Sequence, residues 1–99
     1  MSFVTDCAIL TNATGLHARP AVKLTSLAKT FAATIDIATS AEGPWFDAKS
    51  PVKVMRVRAP KGAELHLRAS GLDAEAAVAA LTALARARFN EEEPGAAHG

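Results

Sequence analysis

The sequence has one cysteine, Cys7, no tyrosine, and five aromatic residues in 99. A single thiol cannot build an internal disulfide framework or a multi-cysteine metal site, which suits a reducing compartment. No apolar run approaches the roughly 18 residues that a membrane-spanning helix requires. Asp6 stands where a signal peptide would continue its apolar stretch, so a cytoplasmic protein without membrane association is expected. Charge of one sign is also missing. Eleven Lys and Arg against ten Asp and Glu leave a formal net charge of +1, which carries no global signal for nucleic acid or membrane. Bulky apolar residues are few, because 23 of the residues counted as hydrophobic are alanine. A methyl side chain buries little area but lets helices lie close to a sheet. At this length one two-layer domain is expected over residues 1–89, with 90–99 as a flexible C-terminal tail.

Met1 to Asn12 alternates like a strand in two competing phases, Val4, Ala8 and Leu10 on one face and Phe3, Cys7 and Ile9 on the other. His17 to Phe31 places Ala21, Leu24, Leu27, Ala28 and Phe31 at helical spacing, with Pro20 near the start, where a missing amide costs least. Ala33, Ile35 and Ile37 alternate next. Ser40 to Pro44 has turn chemistry, and Trp45 to Ala48 reads as a short strand that Pro44 confines to an edge or a start. Ser50 followed by Pro51 reads as an N-cap and first helical residue, opening a short helix to about Val57 that Pro60 and Gly62 end. Ala63, Leu65, Leu67 and Ala69 alternate with Glu64, His66 and Arg68, a strand with a solvated polar face. Asp73 then caps a helix whose stripe is Ala77, Val78, Leu81, Leu84 and Ala85. This order predicts an α+β open-faced two-layer sandwich, four antiparallel strands with three helices on one face.

Thr14 to Ala21 stands at the first strand-to-helix junction. Gly15 permits a sharp reversal and Pro20 fixes the first turn, so His17 falls at or beside the N-cap. Amides at a helix start, together with the dipole, favour an anion, and Arg19 adds a planar, permanently charged donor. A neutral imidazole there can attack phosphorus, and amides and guanidinium can hold the phosphoryl group it accepts.

Gly15-Leu16-His17-Ala18-Arg19-Pro20-Ala21 resembles the active-site signature of HPr, the histidine phosphocarrier family of the bacterial sugar phosphotransferase system. The resemblance runs from about Val4 to Phe89 and includes Asp47-Ala48-Lys49-Ser50, Lys61-Gly62-Ala63-Glu64 and Ala69-Ser70-Gly71-Leu72-Asp73. It implies that His17 takes phosphate from enzyme I on Nδ1 and passes it to an enzyme IIA acceptor, with Arg19 stabilising the phosphate. It also implies a possible regulatory role for Ser50, since in many members the serine opening the middle helix is the target of a dedicated kinase, the HPr kinase/phosphorylase. Here Pro51 and Val52 follow where bulkier apolar residues are usual, and Lys53, Arg56 and Arg58 make the helix basic. A specialised partner fits this departure, such as a fructose, dihydroxyacetone-kinase or nitrogen-regulatory relay.

Bland readings stand beside these. His17 taken alone is an N-cap, Ser50 is explained by capping, and Lys49, Lys53, Arg56, Arg58 and Lys61 can be a solvated face. As a nucleic-acid footprint that run lacks interleaved aromatics. As a docking surface for an acidic partner it would involve Ala18, Pro51, Val52, Lys53, Met55 and Arg56. His66, His98 and Cys7 read as bystanders, with no metal-ligand spacing. The expectation is a monomeric phosphocarrier that needs no cofactor and is a substrate of other enzymes rather than an enzyme. The alternative is a regulatory module whose docking depends on phosphorylation at His17 or Ser50.

Overall fold

The computed structural model describes residues 2–90, so all of the expected tail except Asn90 lies outside the described residues. Strands β1 (Val4–Ile9), β2 (Thr34–Ala38), β3 (Phe46–Asp47) and β4 (Glu64–Ser70) and helices α1 (Ala18–Ala28), α2 (Pro51–Val57) and α3 (Ala74–Arg86) follow in the order β1-α1-β2-β3-α2-β4-α3, and a 3-10 turn comes last at Arg88–Asn90. The strands form one antiparallel sheet in the order β1-β4-β2-β3, which puts β1 and β3 at the edges. This is the open-faced sandwich that the periodicities predict.

Pairing in the sheet decides the phase of β1. Ala8 and Leu10 are buried while Phe3, Cys7 and Ile9 are exposed, because Ala8 opposes Leu65 of β4 and shares its covered face. Ile35, Ile37, Leu65, Leu67 and Ala69 on that face meet Ala21 and Leu24 of α1, Val54 of α2 and Ala77 and Leu81 of α3 in one core. Buried alanines such as Ala21, Ala28, Ala77 and Ala85 let α1 and α3 lie close to the sheet with little bulk between them.

Three local expectations are corrected. Helix α1 stops at Ala28 rather than Phe31, because the Asp73 carboxylate takes the amides of Ala32 and Ala33 at 2.9 and 2.8 Å and holds a turn there. Asp73 accordingly sits at the N-cap position of α3 without a side-chain capping bond. The polar face of β4 is only partly solvated. The Arg68 guanidinium lies 4.4 Å from the Phe3 ring centroid and 4.3 Å from that of Trp45, and its Nε donates to Asp36 at 3.1 Å. Two aromatic faces and one carboxylate thus cover the centre of that side of the sheet.

The Asp73 bonds have a pH signature. The Ala32 amide, with the Ala33 amide and Lys49 adding to it against some desolvation, holds the carboxyl below its ordinary value of 3.8. A depressed acid stabilises the fold at pH above its unfolded value, and that contribution is lost as pH falls through the lowered folded value. Asp73→Ala is therefore expected to lower the melting temperature at neutral pH and to narrow its gap to the parent below about pH 3.8. Melting curves at both pH values check this, and a gap that stays constant would show that the carboxylate bonds contribute nothing.

Candidate functional site

The loop between β1 and α1 is held at both ends. The buried Asn12 donates from Nδ2 to the Gly15 carbonyl at 2.7 Å, and the Gly15 amide returns to the Asn12 carbonyl at 3.2 Å. Gly15 has φ +62, and a Cβ there would collide with the Ala59 carbonyl oxygen and come within 2.7 Å of the Pro60 carbonyl carbon. This close approach of two backbones requires glycine. The next amide, that of Leu16, then bonds the Ala59 carbonyl at 2.8 Å, and the Leu16 side chain is buried.

With Leu16 anchored, His17 falls at the N-cap of α1 in extended backbone conformation. Its carbonyl accepts the first helical bond, from the Ala21 amide at 2.8 Å, while its side chain makes no capping bond and is exposed. Pro20 has no amide, so the N–H groups of Ala18 and Arg19 are the helix-start donors left without an intrahelical acceptor. No acidic residue stands in the first turn to neutralise the positive end of the dipole. An exposed imidazole at such a helix start, with Arg19 in the same turn, can act as a nucleophile toward an anionic electrophile whose oxygens the amides and the guanidinium can hold.

Two concavities flank His17. One, of about 530 Å³, is lined by Thr14, Leu16, His17, Ala18, Met55, Arg58, Ala59 and Pro60. The other, of about 340 Å³, is lined by Thr14, His17, Ala18, Arg19 and Pro20. The structure thus brings His17, Ala18, Arg19 and Met55 together. It does not bring Ser50, Pro51, Val52, Lys53 or Arg56 into either hollow. Ser50 lies at the far end of α2, where its Oγ accepts the Lys53 amide at 3.3 Å as an N-cap. Val52 and Met55 are 58% and 40% exposed, one helical turn apart on the outer face of α2. Lys49 is spent on the Phe31 carbonyl, at 2.7 Å, and does not extend the basic face.

Sequence reasoning missed Asn12 and the role of Arg58. Asn12 carried a usable signal, because an Asn a few residues before a turn glycine commonly bonds the local backbone. Arg58 carried none. It ends α2 in the left-handed region at φ 53, a conformation that an arginine does not advertise, whereas the expected terminators were Pro60 and Gly62. Elsewhere, His66 Nε2 lies 2.9 Å from Glu64 Oε1 and Cys7 opposes His66 on the far side of the sheet from the helices, while His98 lies outside the described residues. Among the described residues no three His, Cys, Asp or Glu side chains are grouped to hold a metal, and no helix is long and apolar enough to cross a membrane.

Comparison with known proteins bears on this geometry. The family model described as the PTS HPr component phosphorylation site matches residues 4–87. The phosphocarrier protein HPr of Cupriavidus necator is 42% identical over 83% of this chain and 90% of its own length. The phosphocarrier protein NPr of Escherichia coli K12 is 35% identical over 84% and 91%. Among solved structures, HPr-C-His from Thermoanaerobacter tengcongensis superposes with a TM-score of 0.80 at 35% identity, covering 93% of this chain and 99% of that one.

Proposed function

Because the chain belongs to the HPr family of phosphocarriers, we propose that His17 accepts a phosphoryl group from an enzyme I donor and passes it to an enzyme IIA type acceptor of a sugar or regulatory phosphotransferase system. The observation that carries this reading is the exposed, uncapped His17 imidazole at the start of α1, beside the Ala18 and Arg19 amides and the Arg19 side chain. The Nδ1 lone pair attacks phosphorus, and the N–P bond forms as the bond to the donor breaks. The phosphoryl oxygens, now at the positive helix end, take the two amides and the guanidinium. Transfer onward reverses the step, with a nucleophile of the acceptor displacing the imidazole. In this reading the protein is a cytoplasmic monomer, with residues 1–89 as the carrier domain and no cofactor of its own, and it is a substrate of the enzymes on either side. Incubation with enzyme I and phosphoenolpyruvate should give an acid-labile mass gain, and no gain would sink the reading. A panel of enzyme IIA proteins from sugar and nitrogen systems then identifies the acceptor.

The proposed docking surface is the start of α1 with the outer face of α2. Pro51, Val52 and Met55 form its apolar centre, with Ala18 beside it and Lys53 and Arg56 as its rim, a combination suited to an acidic partner. Ser50 borders that surface. A phosphoserine at an N-cap brings roughly −1.5 to −2 charges to the positive end of α2 and so favours the helix, yet it repels an acidic partner. Ser50→Asp, a weaker imitation, is expected to melt no lower than the parent and to accept phosphate from enzyme I more slowly. Ser50→Ala should lose about 1 kcal/mol of stability with its cap and transfer nearly normally. Thermal melts and transfer rates check both, and full-speed transfer by Ser50→Asp would leave Ser50 as a cap alone. An HPr kinase/phosphorylase is the enzyme that would write this modification.

A further inference from the structure

Among the described residues four that are not glycine hold a positive φ: Arg58, Arg88, Phe89 and Asn90. An L side chain is strained in that region, asparagine least, so each position asks for a reason. Three have one. Phe89 is fully buried, the Arg88 Nε reaches Thr11 Oγ1 at 3.4 Å, and Asn90 is the residue type that tolerates the conformation.

Arg58 differs from them. Its side chain is exposed and has no hydrogen bond or ion pair with any described residue. The fold needs only the turn there, which brings the Ala59 carbonyl to the Leu16 amide at 2.8 Å. Glycine would make that turn without strain. What glycine would not supply is a guanidinium.

The place of that guanidinium is informative. Arg58 borders the larger hollow beside His17, and Arg19 borders the smaller one. His17 therefore lines two concavities, each with one arginine, and no acidic side chain lines either. A strained residue at a functional site is retained when its side chain does something that the relaxed residue cannot.

We propose that Arg58 is a second phosphate-binding residue, whose guanidinium contacts the phosphoryl group carried on His17 from the hollow that Arg19 does not line. The inference rests on the carrier reading of His17 and extends it to a residue outside the Gly15 to Ala21 segment. A cation in that place favours the dianionic over the monoanionic phosphoryl group, so it lowers the pH at which the second proton leaves.

The test uses the full chain phosphorylated chemically with phosphoramidate and followed by ³¹P NMR, the His17 resonance being the one lost in His17→Ala. In Arg58→Gly and Arg58→Gln the titration midpoint of that resonance should move up by about half a pH unit, the size of a Coulomb interaction across ~5 Å in a water-like dielectric. Arg58→Lys, which keeps the charge, should stay near the parent. Arg58→Gly should also melt several degrees higher, since it removes the strain. An unchanged midpoint in both Arg58→Gly and Arg58→Gln overturns the proposal, and a lower melting temperature in Arg58→Gly would count against it by giving the side chain a role in the fold. The carrier reading fails differently, through a parent that takes phosphate from phosphoramidate but none from enzyme I and phosphoenolpyruvate. In that event the titration still decides whether Arg58 touches the group.

Discussion

His17→Ala is expected to acquire no phosphate at all from enzyme I and phosphoenolpyruvate while melting at nearly the parent temperature. The side chain is exposed and makes no capping bond, so removing it takes nothing from the fold. It does remove the nucleophile, and neither of the other two histidines can replace it. His66 is held against Glu64 on the sheet face away from the helices, without a helix start beside it, and His98 has no glycine, proline and arginine set beside it in the sequence. His66→Ala should therefore take up phosphate like the parent. Arg19→Lys should fold normally but transfer on the order of tenfold more slowly, the cost of about one good charge-assisted hydrogen bond when a point charge replaces a planar fork. Quench-flow with radiolabelled phosphoenolpyruvate separates these outcomes, and label on His17→Ala would refute the assignment of the site.

Gly15→Ala should give the largest loss of stability of any single methyl addition near the site. Two costs add: a left-handed φ of +62 for a residue with a Cβ, and overlap with the Ala59 carbonyl and the backbone of Pro60 and Lys61. Backbone atoms cannot swing aside as a side chain would, so the loop or the α2 to β4 connection has to move. The expected destabilisation is roughly 2–4 kcal/mol, beyond the ordinary range for a surface substitution. Gly62→Ala provides the control. It has φ +93 but nothing within 4 Å of its added Cβ, so it should show backbone strain alone. Because Leu16 is anchored to the same carbonyl, Gly15→Ala should also displace His17 and lose transfer at temperatures where it is still folded. Denaturant melts of both variants and transfer rates at low temperature measure the two effects. Equal destabilisation of Gly15→Ala and Gly62→Ala would show that the close approach is relaxed in solution.

Elements with a strong local signal were legible from composition and spacing. The stripe of α3 from Ala77 to Ala85, the alternation of Leu65, Leu67 and Ala69, and the Ser50-Pro51 start of α2 each carry their reason within a few residues. The His17 position was legible for the same cause, since Gly15, Pro20 and Arg19 each state a separate physical requirement next to it. Apart from the end of α2, which Arg58 rather than Pro60 and Gly62 makes, the expectations that needed revision concern residues whose partners lie far along the chain. Asp73 looks like a cap, and it binds amides some forty residues earlier. Arg68 looks like a solvated residue, and it lies between Phe3 and Trp45.

By itself the sequence determined the class of the fold and the helix that begins at His17, because periodicity, capping and backbone permissiveness act over one or two helical turns. Only the tertiary structure decided which face of β1 is covered, since that choice depends on pairing with β4, more than fifty residues away. It alone decided that Gly15 must lack a side chain on account of the Ala59 carbonyl, and that Arg58 and Met55 share a hollow with His17. Packing brings those groups together across the chain, and no local pattern of residues encodes a contact whose other half is forty positions distant.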